Sequence, residues 1–153
     1  MFPSAESRAE VLRTAAEVAE AQLELRQWRI LQRRQNERWP RTGFTDQQIA
    51  ELSKPIEAKI AELEVRIEAW KRLAAGDVDD SVSLAGFGTR LAELRVAAGM
   101  SQRELARAMG VSDSQVSRDE RTMYAGITVK RAIKVLAALG FEAEVHIRPR
   151  SSE

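Results

Sequence analysis

Hydrogen-bonding side chains are concentrated in the segment Ser101–Glu120, which combines hydroxyl, amide, carboxylate and guanidinium groups. Two serines in this segment are each followed, three residues later, by a side chain that can accept a hydrogen bond from the serine N–H: Ser101 by Glu104 and Ser112 by Gln115. In this spacing the serine oxygen accepts a bond from the first turn of a helix, and the second side chain bonds back to the serine N–H. Two short helices are therefore predicted, and they must meet at a tight corner.

The corner between these helices is predicted at Gly110. Glycine readily takes the left-handed conformation that ends a helix. Ala106 is small enough for the second helix to pack closely, and Val116 fills the angle between the helices. This spacing is typical of a helix-turn-helix, whose usual role is to place its second helix in the major groove of DNA. The alternative is a three-helix core with the same packing needs and no ligand.

The residues before the motif extend the pattern. A helix is predicted over Leu91–Met100, with a stop at Gly99. One face of it carries Leu91, Leu94 and Ala98. From Leu91 to Leu139, about a third of the chain, the sequence resembles the lambda-repressor/Cro-like (Xre) family of helix-turn-helix transcriptional regulators. The chain follows the family pattern L-x-x-L-R-x-x-x-G-x-S-Q-x-E-L-A-x-x-x-G-V-S-x-S-x-V-S-R-x-E almost position by position.

The resemblance implies roles for the polar side chains of the motif. Arg95 and Glu120 match a buried pair that holds the second motif helix, the recognition helix, at its angle. Gln102 matches a glutamine that clamps a phosphate and orients a neighbouring base-reading side chain. The DNA-binding residues implied in this way are Gln102, Arg103, Asp113, Ser114, Gln115, Ser117, Arg118 and Arg121.

Three of these side chains match the hydrogen-bonding groups of base edges. Arg118 can donate to guanine O6 and N7, Gln115 can pair with adenine N6 and N7, and Asp113 can accept from cytosine N4. Asp113 needs a donor beside it, because a carboxylate close to phosphates is otherwise repelled. For each of the three, the alternative is a solvated polar side chain.

Two features depart from the family pattern. Asp119 stands where family members usually carry an apolar residue, and residues 122–126 replace a short glycine turn. The loop after the recognition helix is therefore expected to have a different shape. The sequence leaves open whether Arg121 and Tyr124 reach the DNA backbone or pack against the protein.

The end of the chain is predicted to form a helix and then a strand. Thr128 can cap the helix, and Gly140 ends it. Its apolar residues at helical spacing are Val129, Ala132, Ile133, Leu136 and Leu139. Phe141–Arg148 alternates apolar and polar residues and predicts a short strand closed by Pro149.

A single strand leaves backbone groups unpaired, so pairing with the same strand of a second subunit is expected. An edge strand on its own domain and a frayed tail are the alternatives. A terminal strand of this kind resembles that of antitoxin-type members of the family, in which it helps to build the dimer.

The first half of the chain predicts two long helices. Residues Ser4–Trp39 contain neither proline nor glycine and predict one helix of roughly 50 Å. Pro40–Phe44 breaks it, and Thr45 with Gln48 starts the next helix. Pro55 either kinks this second helix or marks its true start. The seam of a coiled coil is predicted at Ile49, Leu52, Ile56, Ile60, Leu63, Ile67, Trp70 and Leu73 or Ala74.

Two such helices form an αα-hairpin with little interior. Trp28, Trp39 and Trp70 are therefore expected to meet a second hairpin or the DNA-binding domain. The hairpin is interpreted as a dimerisation device, and the alternative is that it binds a particular partner protein. The fold class predicted for the chain is mainly α, with the hairpin at residues 1–75, a linker at 76–86, and a helix-turn-helix domain with a short carboxyl-terminal β-strand at 87–153.

Composition excludes several classes of protein. Lysine and arginine outnumber the acidic residues by 13 to 12 in residues 1–75 and equal them at 11 to 11 in the rest, so DNA binding requires locally gathered positive charge. The absence of cysteine excludes disulfides and thiolate metal sites. The sequence has no leader and no apolar run of membrane-spanning length, which predicts a cytoplasmic protein without a membrane partner. With His146 as the single histidine and no phosphate-binding glycine loop, neither an enzyme nor a cofactor is expected.

The function predicted from the sequence is that of a homodimeric repressor that binds a specific double-stranded DNA operator. The alternative is an antitoxin-like protein that neutralises a toxin-like partner and regulates its own operon. A third hypothesis is a coiled-coil scaffold whose helix-turn-helix no longer binds DNA.

Overall fold

The computed structural model describes residues 11–149, and this part of the chain is mainly helical. Its α-helices are α1 (Ala15–Arg38), α2 (Asp46–Ala74), α3 (Phe87–Ala97), α4 (Gln102–Met109), α5 (Asp113–Arg121) and α6 (Val129–Leu139), with short 3-10 turns at Trp39–Arg41 and Leu84–Gly86. The chain divides into two compact units between Asp77 and Val78, so that α1 and α2 belong to the first unit and α3 to α6 to the second. Within residues 11–149, each helix is too short or too polar to cross a membrane.

The first helix begins later than the sequence predicts. The Thr14 hydroxyl accepts a bond from the Glu17 N–H at 3.1 Å, and the Glu17 carboxylate accepts from the Thr14 N–H at 3.2 Å. This capping box starts α1 at Ala15, so the prediction of a helix from Ser4 is wrong for residues 11–14, while residues 1–10 lie outside the described part. The 24 residues of α1 span roughly 36 Å.

The two long helices pack against each other as an αα-hairpin. The buried residues are Val18, Ala21 and Leu25 on α1 and Ile56, Ile60, Leu63, Ile67 and Leu73 on α2. Most of these positions repeat at spacings of three and four, as in the seam of a coiled coil. Trp39 is buried in the same core, and Trp28 and Trp70 are half-buried against it.

The structure decides two details of α2, one position of the predicted seam and the place where the helix starts. Leu52 is 48% exposed, and the half-buried Ser53 takes the inward position, so the prediction for Leu52 is wrong. Both residues fit a spacing of three and four from Ile49, and packing against α1 selects between them. Pro55 does not mark the helix start, because the capping box of Thr45 begins α2 at Asp46 and the helix continues through the proline.

The second unit closes around one core to which α3 to α6 all contribute. Its buried residues are Leu91, Ala92, Leu105, Ala106, Val116, Tyr124, Ala132, Val135, Leu136 and Leu139. Of the apolar positions predicted for α6, Ala132, Leu136 and Leu139 are buried, but Val129 is 76% and Ile133 60% exposed, and the fully buried Val135 was not among them. Both sets have helical spacing, and contact with α3 and α4 decides between them.

The loop between α5 and α6 has an uncommon backbone. Met123 and Tyr124 both have a φ of 51°, in the left-handed region that residues other than glycine seldom enter. The Tyr124 side chain is buried in the core, so it packs against the protein and does not reach out to a ligand. Gly88 of α3 approaches this loop so closely that a Cβ atom there would lie 1.9 Å from the Met123 carbonyl oxygen.

The carboxyl-terminal strand is not formed. Gly140 ends α6 in the left-handed conformation, and Phe141–Pro149 has no regular secondary structure and is exposed throughout. The prediction of a strand over Phe141–Arg148 is therefore wrong in this structure. A strand needs a neighbouring strand to pair its N–H and C=O groups, and residues 11–149 contain no other strand.

Candidate nucleic-acid interface

The corner between α4 and α5 is built from local contacts. Ser101 accepts from the Glu104 N–H at 3.2 Å, and Glu104 accepts from the Ser101 N–H at 2.7 Å. The Ser101 hydroxyl also donates to the Glu104 carboxylate at 2.8 Å, and the bonds that this carboxylate accepts from the Ser101 N–H and hydroxyl lower the pKa of the Glu104 carboxyl below its ordinary value. At the other end of α4, Gly110 has a φ of 67°, as a left-handed cap requires. Ala106 and Val116 are buried where the two helices meet.

The start of α5 differs from a full capping box. Ser112 accepts from the Gln115 N–H at 3.2 Å, as predicted. The Gln115 side chain does not return the bond to Ser112, because its amide nitrogen donates to Asp119 Oδ1 at 2.8 Å. The Gln115 side chain is therefore held against Asp119, one turn further along α5, and not against Ser112.

A buried ion pair joins α3 to the end of α5. Arg95 donates from Nε to Glu120 Oε1 and from Nη2 to Glu120 Oε2, the second bond being 2.8 Å long. Arg95 also donates from Nη1 to the Met100 carbonyl at 2.6 Å. With both charged side chains buried, this pair fixes the recognition helix α5 against α3.

Gln102 completes this network. It is the first residue of α4, and its Nε2 donates to Glu120 Oε2 at 2.7 Å. The structure therefore directs the half-buried Gln102 side chain towards Glu120. The Gln102 bond links the start of α4 to the end of α5, the two helices of the motif.

The outer side of α5 carries polar side chains. Asp113, Ser114, Arg118 and Arg121 are exposed, while Gln115 and Ser117 are half-buried. Arg103 on α4 is also exposed, and its Nε donates to Asp113 Oδ2 at 3.0 Å. Seven of the eight implied DNA-binding residues thus lie on α5 or beside it. The eighth, Gln102, belongs to the buried network of Arg95 and Glu120. We call the exposed residues Asp113, Ser114, Arg118 and Arg121 the α5 surface.

Each carboxylate of the motif is paired or bonded, which decides the charge of this surface. Asp113 pairs with Arg103, Asp119 with Arg131 and Glu120 with Arg95, and Glu104 bonds to Ser101. Arg118 and Arg121, by contrast, form no ion pair with any part of residues 11–149. Positive charge is therefore available on the α5 surface even though the chain as a whole is almost neutral.

Sequence reasoning missed the role of Asp119. Its Oδ1 accepts from Gln115 within α5, and its Oδ2 accepts from Arg131 Nη2 of α6 at 2.6 Å. The signal in the sequence was the departure from the family pattern at this position. The partner could not be read from it, because Arg131 lies twelve residues away on another helix.

The comparisons with known proteins agree with this geometry. The sequence model of the helix-turn-helix family matches residues 91–145, which include most of α3 and all of α4, α5 and α6. Neither the curated proteins nor the solved structures include a significant match to the chain. Residues 91–145 of this chain form a helix-turn-helix domain of the lambda-repressor/Cro-like (Xre) family, the domain with which DNA-binding transcription regulators bind DNA.

Proposed function

We propose that the chain is a homodimeric repressor that recognises a specific double-stranded DNA operator. The observation that carries this proposal is the α5 surface. It stands on the second helix of a helix-turn-helix and presents two arginines, Arg118 and Arg121, that form no ion pair with residues 11–149. A helix that is buried on one side and polar on the other suits the major groove, where side chains meet base edges.

In the proposed complex, Arg118 donates to a guanine and Gln115 pairs with an adenine. Asp113 accepts from a cytosine, and its pairing with Arg103 reduces the repulsion by nearby phosphates. Gln102, Arg103, Ser114, Ser117 and Arg121 contact the sugar-phosphate backbone. Arg95 and Glu120 position α5 without touching DNA.

The hairpin supplies the second function that a repressor of this kind needs. We propose that residues 1–75 dimerise the chain, with residues 76–86 as the connection to the DNA-binding domain at 87–153. A two-fold symmetric protein binds a two-fold symmetric operator, with half-sites about one or more helical turns apart.

Selection of bound sequences from a random duplex pool tests this function with the full-length protein. We expect enrichment of a two-fold motif, and a reporter promoter that carries the motif should be repressed in cells that express the protein. The salt dependence of binding should be steep, because arginine contacts release counterions from DNA. A pool that shows no enrichment at low ionic strength contradicts the proposal.

An antitoxin-like protein is the second candidate. Phe141, Val145 and Ile147 favour it, because these apolar side chains are exposed in a terminal segment without regular structure. A partner toxin would cover such a segment. Co-expression with the product of a neighbouring gene tests this candidate: growth arrest by that product should be relieved by the full chain and not by a chain that ends at Gly140.

A further inference from the structure

The helix α1 has a second apolar side in addition to the one that packs on α2. Ala16, Ala19, Leu23 and Ile30 lie at helical spacing on the side away from Val18, Ala21 and Leu25. We call these four residues the back face of α1. Leu23 is 53% and Ile30 50% exposed, so the two largest side chains of the back face are not covered by the hairpin.

The charges along α1 are separated into two halves. The first half, Ala15–Leu25, contains three glutamates and no basic residue, whereas the second half, Arg26–Arg38, contains five arginines and one glutamate. A second α1 that lies antiparallel places its basic half beside the acidic half of the first. A parallel copy places like charges side by side. The charge pattern of α1 is therefore complementary to itself in the antiparallel orientation alone.

Some of these charges are already used inside the hairpin. Arg29 pairs with Glu64 at 2.6 Å, and Glu24 lies 3.7 Å from Lys59. Glu20, Arg33 and Arg34, which flank the back face, form no ion pair within residues 11–149. These three charges, unpaired within the described part of the chain, thus lie beside the uncovered apolar residues.

We propose that the back face of α1 binds the back face of a second copy, antiparallel, around a two-fold axis between Arg26 and Gln27. In this register Leu23 packs on Ile30 of the second copy, and Glu20 lies beside Arg34 of the second copy, which is on the same flank of the back face. Arg26 lies at the axis and bends back along its own helix, where its Nε donates to the Gln22 carbonyl at 3.3 Å. The proposal rests on the homodimer of the proposed function and specifies its surface and orientation.

Cysteine cross-linking of the full-length protein tests the orientation, and the natural chain has no cysteine to interfere. Gln27→Cys places the thiol beside the axis and should give a disulfide-linked dimer. Ala16→Cys is the matched control, because an antiparallel register separates the two copies of position 16 by 21 residues, about 30 Å along the helix. Cross-linking of Ala16→Cys as efficient as that of Gln27→Cys indicates parallel helices and overturns the proposal.

Paired substitutions test the surface itself. Leu23→Asp should shift the mass measured by light scattering from dimer to monomer, or weaken dimerisation at least tenfold. Val65→Asp is its control on α2, since Val65 is similarly exposed at 60% but lies outside the back face. Because both side chains are exposed, circular dichroism should show the wild-type helix content in each variant. Equal effects of the two substitutions on mass overturn the proposal.

A charge exchange gives a third test. Glu20→Arg and the pair Arg33→Glu with Arg34→Glu should each weaken dimerisation, and a mixture of these two proteins should form a heterodimer. A heterodimer no more stable than either homodimer contradicts the antiparallel register. A wild-type protein that is dimeric but insensitive to all of these changes overturns the surface and leaves the proposed homodimer in place, whereas a monomeric wild type overturns both.

Discussion

Asp119 of the recognition helix binds Arg131 of α6, with 2.6 Å between Asp119 Oδ2 and Arg131 Nη2. The other oxygen of Asp119 accepts from the Gln115 amide. One carboxylate thus joins a candidate base-reading side chain to the helix that follows the motif. The bond that holds Gln115 lies within α5, while the ion pair to Arg131 joins the same carboxylate to α6.

Replacement of Asp119 by alanine should therefore change DNA recognition as well as stability. Gln115 loses its acceptor, so we expect the base preference at its contact position to weaken, along with a loss of about 0.5–1.5 kcal/mol in the free energy of unfolding. Binding to single-base variants of the selected operator measures the first effect. Arg131→Ala is the control, because it removes the ion pair but leaves the Gln115 bond in place; an equal loss of base preference in that variant contradicts the role of Gln115.

Arg118→Ala should reduce affinity for the selected operator by about 1–3 kcal/mol and have a much smaller effect on random DNA. Arg118 is exposed and without an ion-pair partner in residues 11–149, so its removal should leave the fold intact. Fluorescence anisotropy with labelled duplexes measures both affinities. Lys134→Ala on α6 removes the same charge outside the proposed contact set. A uniform loss on both DNA types for Arg118→Ala indicates a phosphate contact instead.

Loss of one partner of the Arg95–Glu120 pair should strongly destabilise the second unit. Glu120→Ala leaves a buried guanidinium without its carboxylate, which costs about 3–5 kcal/mol in the free energy of unfolding. The double variant Arg95→Met with Glu120→Leu removes both charges and should cost clearly less. Urea denaturation followed by circular dichroism compares the two proteins. A double variant as unstable as the single one contradicts the assignment of the cost to an unpaired buried charge.

Gly88→Ala tests the close approach of α3 to the loop after α5. The added methyl would lie 1.9 Å from the Met123 carbonyl oxygen, and this backbone atom cannot move aside as a flexible side chain does. We expect a loss of about 1–3 kcal/mol in the free energy of unfolding. Thermal denaturation measures it, and a melting temperature equal to that of the wild type would show that the loop tolerates the displacement.

The pH dependence of stability should include a contribution from Glu104. Its pKa is lowered in the folded protein from 4.5 by bonds to Ser101, so the carboxylate stabilises the fold above pH 4.5 and loses this contribution as the pH falls through the lowered pKa. Glu104→Gln can still accept the capping bond but does not titrate in this range. The difference in melting temperature between wild type and Glu104→Gln should shrink or change sign towards low pH. A pH-independent difference contradicts the role of the charge.

Local signals in the sequence were sufficient to predict the helix-turn-helix. The starts of α4 and α5 and the corner at Gly110 were predicted correctly, because a cap is a contact between residues three or four positions apart. The same kind of signal was present at Thr14 with Glu17. The start of α1 was nevertheless predicted too early, because the apolar pattern continues without interruption before Thr14.

Contacts between elements decided what the local patterns left open. Val135 is buried and Ile133 exposed because α3 and α4 lie on one side of α6, although either residue fits a helical period. Phe141–Arg148 alternates as a strand does, but without a neighbouring strand its backbone has no partner for a ladder. The Gln115 amide bonds to Asp119, which Arg131 holds from α6. The sequence by itself thus determined which segments are helices and where the motif turns, while the tertiary structure decided which faces are buried and which polar groups meet, because those choices depend on residues distant in the chain.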